Sequence, residues 1–213
     1  MPHDCREEFN IEPLGEIEPK PCYTFFKRLF DIVFSLMAAA VLALPMLVIA
    51  LLVKCTSPGS VLYYQERLGL NGKKIRVIKF RTMRMDAEAG GIQWSTGEKD
   101  TRVTGLGRIL RATHLDELPQ LWCILKGDMS VVGPRPEREV YYNEFEKYIH
   151  GFHERLKVKP GLTGLAQVEG GYYLAPQKKA MYDVEYIKKR SSWLDIKIIF
   201  KTARILFDGD ATK

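Results

Sequence analysis

The chain has 213 residues, 46% of them hydrophobic, and a net charge of +6, enough for one domain with appendages. Its four cysteines, Cys5, Cys22, Cys55 and Cys123, are scattered with no CxxC pair, which excludes a disulfide scaffold and a cysteine-built zinc site and suits free thiols in a reducing cytoplasm. The basic excess comes without a helix-turn-helix, zinc-finger or RNA-binding signature, so nucleic acid is not the expected partner.

Three units are expected: an arm over 1–25, a membrane segment over 26–54 and a cytosolic domain over 55–213. Met1 to Pro21 carries acids and prolines without periodicity and reads as a flexible arm. From Ile32 to Val53 only Ser35 and Pro45 are not plainly apolar, and such a run is long enough to cross a hydrocarbon core of roughly 30 Å, which needs about 20 helical residues. It starts too late and runs too long for a cleaved signal peptide. Basic residues flank both ends, Lys20, Lys27 and Arg28 before and Lys54 and Arg67 after. A spanning helix concentrates positive charge on one side only, so both ends are expected on the cytoplasmic face. Pro45 supplies the means, because its ring lacks an N–H and clashes with the preceding turn. The expectation is a re-entrant helix, broken near Leu44-Pro45, that dips into one leaflet.

Between Lys54 and Arg84 lie Lys54, Arg67, Lys73, Lys74, Arg76, Lys79, Arg81 and Arg84 against the single acid Glu66, a tract suited to anionic lipid or to substrate phosphates. Val61 to Tyr64 and Ile75 to Phe80 are β-prone, with turn chemistry at Leu70-Asn71-Gly72-Lys73, so a hairpin is predicted. Met85 to Thr104, polar and including Trp94, reads as a loop or lid. Beyond Leu106 helical patterning dominates: Leu118, Leu121, Trp122 and Leu125 share a face. A further helix is predicted from Glu137 to Arg155 and a last one from Ser191 to Phe207. This last helix opens with a capping-like Ser192 and Asp195 pair and groups Ile196, Ile199, Phe200 and Ala203 on one face. Lys197, Lys201 and Arg204 lie on other faces, with Trp193 at its start, a pattern that suits a helix at a bilayer surface or one packed on the core.

The chemistry concentrates around Asp116-Glu117. If Asp116 caps a helix, Pro119 falls in the first turn, where missing N–H groups are tolerated, and free amides and the helix dipole favour negative charge. Arg111 lies upstream, and Gly133-Pro134-Arg135-Pro136 frames a second guanidinium between prolines, which limits the entropy lost on binding phosphate. A third basic element, Arg155-x-Lys157-x-Lys159-Pro160-Gly161-Leu162-Thr163-Gly164, has glycines that let backbone amides approach an anion. Each of these taken alone is also what a surface charge or a turn looks like.

In order, these motifs closely resemble the monotopic phosphoglycosyl transferases of the bacterial sugar transferase family. The resemblance runs from Phe26 to Phe207. It takes in Lys27-Arg28-Leu29-Phe30-Asp31, Gln65-x-Arg67-x-Gly69, Lys79-Phe80-Arg81-Thr82-Met83 and Asp116-Glu117-Leu118-Pro119-Gln120-Leu121. It continues through Lys126-Gly127-Asp128-Met129-Ser130, Gly133-Pro134-Arg135-Pro136 and Lys159 to Val168, and ends at Tyr182-Asp183-x-x-Tyr186.

The resemblance implies an α+β, mainly helical fold: a re-entrant helix-break-helix, a short hairpin and a compact catalytic domain with interfacial amphipathic helices. It implies transfer of a phosphosugar from a UDP-sugar to polyprenyl (undecaprenyl) phosphate, with release of UMP and with Mg2+ as cofactor. The location implied is the cytoplasmic face of the bacterial inner membrane, at the first membrane step of glycoconjugate or exopolysaccharide synthesis. Asp116 is then the nucleophile and a metal contact, and Glu117 its acid-base partner. Lys79, Arg81, Arg111, Arg135, Lys159, Thr163 and Gln167 are expected to bind substrate, and Lys27, Arg28, Asp31 and Pro45 to form the anchor. Two positions depart from the family pattern. His114 precedes the dyad where many members carry a small hydroxylated residue, and Glu169-Gly170-Gly171 stands where many carry Asn-Gly-Arg or Ser-Gly-Arg. The sugar and the oligomeric state, homo-oligomer included, stay open. The rival reading is a non-enzymatic, membrane-anchored adaptor that binds anionic lipid, with the dyad merely starting a helix.

Overall fold

The computed structural model describes residues 8–91, 100–170 and 174–208; Trp94 and Gly171, singled out above, and the first seven residues lie outside the described residues. Where described, the arm is not loose. Strand β1 (Phe9–Asn10) pairs with a later strand, Ile11 is buried, the Leu14 N–H donates to Glu154 at 2.8 Å, and Arg190 donates to the Glu18 carbonyl at 2.6 Å. Apolar residues between the acids, invisible to a composition argument, let residues 8–20 strap themselves to the domain.

Helix α1 (Pro21–Thr56) opens with proline in its first turn, where the missing N–H costs nothing. It therefore takes in positions 21–25 that the sequence assigned to the arm. It is helical through Pro45, so the expected break is absent; the proline removes one internal hydrogen bond without ending the helix. Its first half is fastened by polar side chains. Arg28 donates to the carbonyls of Ile124 (2.6 Å) and Leu125 (2.7 Å). Asp31 Oδ1 accepts from the Val131 N–H (2.9 Å) and the Ser130 hydroxyl (3.1 Å), and Lys27 pairs with Asp195 at 2.8 Å. The second half is fastened by apolar contact, with Met46, Ile49, Ala50 and Val53 packed on Phe80 and Leu110. The other side of the helix presents Leu29, Val33, Met37, Val41, Leu44 and Leu47 outward.

The hairpin is as predicted. Strands β2 (Leu62–Leu68) and β3 (Lys74–Phe80) pair antiparallel, with Leu62 opposite Phe80 and Leu68 opposite Lys74. The connection is a short 3-10 turn in which Asn71 and Gly72 take the positive φ that Asn-Gly tolerates. Alternation along β3 puts Ile75, Val77 and Lys79 on one face, and the first two are in the main core.

Helix α2 (Gly105–Ala112) is capped by Thr104, whose hydroxyl accepts from the Gly107 N–H at 2.9 Å. The chain then reverses at His114, which has φ 55°, and continues as a 3-10 turn over Leu115–Gln120 into α3 (Leu121–Lys126). Asp116 is therefore inside the first turn rather than its cap. Strand β4 (Ser130–Val132) follows, then α4 (Glu139–Glu146), β5 (Ile149–His150), which pairs in parallel with β1, and a 3-10 helix over Phe152–Lys157. The continuous helix predicted for Glu137 to Arg155 is thus in pieces: α4 ends at Glu146, β5 follows, and Gly151, at φ 86°, turns the chain into the 3-10 helix.

Strand β6 (Gly161–Thr163) lies parallel to β4, pairing Ser130 with Gly161 and Val132 with Thr163. The approach requires glycine: a Cβ on Gly133 would stand 2.4 Å from the Lys159 carbonyl oxygen. Helices α5 (Leu165–Gly170), α6 (Pro176–Lys189) and α7 (Ser192–Asp208) complete the domain. Asp195 does not form a capping pair with Ser192; it is buried and accepts from Tyr186 (2.8 Å) and Tyr23 (3.0 Å) as well as Lys27. On α7, Leu194, Ile198 and Ile199 pack on the core, whereas Trp193, Ile196 and Phe200 face outward.

The candidate active site

The reversal at His114 delivers two adjacent carboxylates into a crowded pocket, and both are buried. Their surroundings differ. Lys79, on the inward face of β3, donates to Glu117 Oε1 at 2.6 Å. Arg135 grips the same carboxylate with both terminal nitrogens, at 2.6 Å to Oε1 and 3.3 Å to Oε2. Burial acts to raise the Glu117 pKa, but Arg135 and Lys79 overcome it and hold the group well below the usual carboxylate range. Glu117 is therefore ionised and engaged at both oxygens.

Asp116 forms no hydrogen bond or ion pair with the described residues. Burial pushes its carboxyl upward, and Lys79, Arg111 and Arg135 pull it back while the neighbouring Glu117 adds to the rise. With no donor from the described residues, this carboxylate is available to a ligand or a reacting atom. Arg111, on the last turn of α2, completes the positive rim; it is half-buried and makes no ion pair with the described residues.

The remaining site residues read from the sequence are placed elsewhere. Arg81 is buried and spends its guanidinium on the Pro58 carbonyl (2.6 Å) and on the Ser57 carbonyl (2.9 Å) and hydroxyl (2.8 Å), closing the segment after α1. Thr163 shares a hydrogen bond with Thr202 at 2.7 Å, and Gln167 donates to the Leu162 carbonyl at 3.1 Å. Lys159 lines a cavity of about 440 Å³ with Lys73, Gly127 and Asp128, at the end of β3 opposite Lys79. There burial and nearby Arg28 lower its pKa. Lys27, Arg28 and Asp31 fasten α1 to the domain as described above.

Two residues beside the site went unassigned in the sequence. Arg67 donates to Gln65, to the Pro136 carbonyl (2.5 Å) and to Glu137 (3.2 Å), and Glu137 also takes Lys179 at 3.3 Å. The signal was present as phase: Gln65 and Arg67 alternate on one face of β2, and Arg67 stands opposite the core residue Ile75. An arginine on an inward face of a strand must have a buried partner.

A UDP-N-acetylgalactosamine-undecaprenyl-phosphate N-acetylgalactosaminephosphotransferase of Aeromonas hydrophila is 40% identical over 92% of this chain and 47% of its own length. A UDP-glucose:undecaprenyl-phosphate glucose-1-phosphate transferase of Klebsiella pneumoniae is 44% identical over 92% of this chain and 44% of its own. The chain thus spans about half the length of these relatives. A protein of the same name from Caulobacter vibrioides is 38% identical over 94% of this chain and 76% of its own length. Residues 22–209 match the family described as Bacterial sugar transferase, and this chain, with its buried carboxylate dyad under Lys79 and Arg135, belongs to that family.

Proposed function

We propose that the protein transfers a phosphosugar from a UDP-sugar to polyprenyl phosphate, releasing UMP, through a covalent phosphosugar on Asp116. The observation that carries this is the asymmetry of the dyad: Glu117 is engaged at both oxygens by Arg135 and Lys79, while Asp116 is buried beside the same cations with no hydrogen bond or ion pair to the described residues. An Asp116 oxygen attacks the sugar-bearing phosphorus, the bond to the UMP phosphate breaks, and an acyl phosphate forms. A polyprenyl phosphate oxygen then attacks that phosphorus and restores the carboxylate, so one difficult transfer between anions becomes two in-line steps.

Neither attack needs a proton removed if the acceptor is a dianion, as a phosphate monoester with a second pKa near ~6 largely is at neutral pH. Glu117 accordingly serves by keeping Lys79 and Arg135 aimed at the reacting phosphates rather than by passing protons. Arg111 and Arg135 are the guanidiniums best placed for phosphate oxygens.

Among the described residues no group of three or more His, Cys, Asp or Glu side chains could hold a metal. Mg2+ at nucleotide sites is usually held by one or two carboxylates and the substrate's own phosphate oxygens; Asp116, with no donor from the described residues, would be the protein ligand. The ion would neutralise charge on the diphosphate.

The helix α1 serves the lipid acceptor. It is apolar enough to cross a membrane, yet both halves touch the same domain, and the stretch between those contacts, residues 40–45, rises only about 9 Å at ~1.5 Å per residue. This supports a shallow seating of the unbroken α1 in one leaflet at the cytoplasmic face of the bacterial inner membrane, with both of its ends on that face and Trp193, Ile196 and Phe200 of α7 at the lipid surface. Cys22 and Cys55, both exposed, bracket α1. In a Cys5→Ser background both should react with an impermeant maleimide in inside-out vesicles, and protection of either one refutes this placement of α1.

The relatives name different sugars, so the donor must be read by experiment. Nucleotide release is measured with polyprenyl phosphate, Mg2+ and a panel of UDP-sugars that includes UDP-glucose and UDP-N-acetylgalactosamine. UMP from one donor is expected; silence across the panel refutes the reading.

A further inference from the structure

The loop that carries Arg135 has almost no backbone freedom, and the cause is outside the dyad. Four successive carbonyls are each taken by a donor from elsewhere in the chain. Pro134 O accepts from the Gly161 N–H at 2.9 Å, Arg135 O from Arg155 at 3.1 Å, Pro136 O from Arg67 at 2.5 Å, and Glu137 O from the Leu68 N–H at 3.0 Å. Two of the donors are ordinary peptide groups. The other two are guanidiniums brought in for the purpose, and Arg155 is the more unusual.

Arg155 and Asp183 are 0% and 1% exposed and meet at 2.6 Å. The guanidinium is seated against the rings of Phe152 (4.6 Å) and Tyr142 (5.5 Å). The pairing is incomplete: Arg155 Nη1 and Asp183 Oδ1 are buried without partners among the described residues. A fully buried ion pair with orphaned atoms is a poor source of stability, since apolar residues of similar volume often do as well or better. What apolar residues could not supply is the hydrogen bond from Arg155 to the Arg135 carbonyl.

We infer that Arg155, held by Asp183, is a positioning residue: it fixes the peptide of Arg135 so that this side chain meets Glu117 with both nitrogens. The inference rests on the proposed transfer reaction only for what Arg135 does there; the positioning itself is a property of the fold. The motif Tyr182-Asp183-x-x-Tyr186 then reaches the site through two intermediates.

The test uses two variants of the full chain in lipid nanodiscs. Arg155→Lys keeps a charge against Asp183 but replaces the planar fork with a single ammonium. The double variant Arg155→Met with Asp183→Leu replaces the pair by apolar side chains and is expected to fold. In both, kcat for UMP release should fall about ten- to a hundredfold, the size of effect a small misplacement produces, with donor KM within about twofold. Introduced into Arg135→Lys, either change should cost less than about threefold more, because residues acting through one another are not additive. Independently of activity, the Nε–H resonance of Arg135, assigned by its loss in Arg135→Lys, should shift or broaden in Arg155→Lys. Wild-type kcat in a folded variant, full additivity with Arg135→Lys, an unmoved Arg135 resonance, or collapse of both variants would each overturn the inference. A wild-type protein silent on every donor would instead sink the reaction and leave the resonance to judge the positioning.

Discussion

Two buried aspartates of this domain meet opposite treatment. Asp31, on the first half of α1, has an oxygen fully engaged by the Val131 N–H and the Ser130 hydroxyl. Asp116, on the turn after His114, has no donor from the described residues, although Glu117 next to it is gripped by two cations. Both are about equally hidden, 3% and 6% exposed, so burial does not separate them. The donors do: Asp31 is tied to a backbone N–H and a hydroxyl and holds structure, whereas Asp116, with no donor from the described residues, is left to a ligand or a reacting atom.

The sharpest way to break this contrast is Asp116→Asn. It should remove the phosphosugar adduct detected with radiolabelled donor and lower turnover by about a thousandfold or more, as loss of a covalent nucleophile does. Thermal stability should hold or rise, because a buried carboxylate with a raised pKa weighs against the fold once pH exceeds its ordinary range. A variant with normal turnover would remove Asp116 from the mechanism.

Arg135→Lys comes next. It exchanges a two-pronged contact on Glu117 for one ammonium, and kcat should fall about ten- to a hundredfold. Retained activity would mean that the fork is not needed.

Asp31→Ala should act the other way. It orphans the buried Val131 N–H, so unfolding free energy should drop by about 1–3 kcal/mol, while turnover per folded molecule stays within about twofold of wild type. A large loss of turnover at unchanged stability would erase the distinction between the two aspartates.

Glu137 offers the mildest test at neutral pH and refines the rule, being buried like Asp116 but satisfied like Asp31. Burial would raise its pKa, but Lys179 and Arg67 bring it down to about 2. Its native pKa lies below the unfolded value, so its stabilising effect is present above the ordinary carboxylate range near ~4.3 and disappears as pH falls toward about 2. Glu137→Gln should therefore flatten the acid limb of the stability profile in that window, and an unchanged limb would show that the pair adds nothing.

Much of this could be read from residue order. The hairpin announced itself through Asn71-Gly72 between β-prone runs, α1 through unbroken apolarity, and the dyad through a motif set that brought its own context. The readings that failed did so for local physical reasons. A helix over Glu137 to Arg155 has good composition, but it stops at Glu146, where the chain leaves to pair Ile149 and His150 with the distant β1. Asp116 looked like a cap, but His114 takes the turn and moves both acids inside it. Lys27, Arg28 and Asp31 looked like the edge of a membrane segment; their partners, Asp195, Ile124, Leu125 and Val131, are about a hundred positions or more away in the chain.

Periodicity, turn residues and ordered motifs are properties of neighbouring positions, so the sequence by itself determined the long apolar helix, the hairpin, the dyad and the family. Which charges are spent on structure and which are left for chemistry depends on partners distant along the chain, and only tertiary packing decides it. That is why Arg81 closes a loop while Arg135 clamps Glu117, and why Arg155, in sequence one basic residue among several, ends up holding the backbone of the arginine that faces the site.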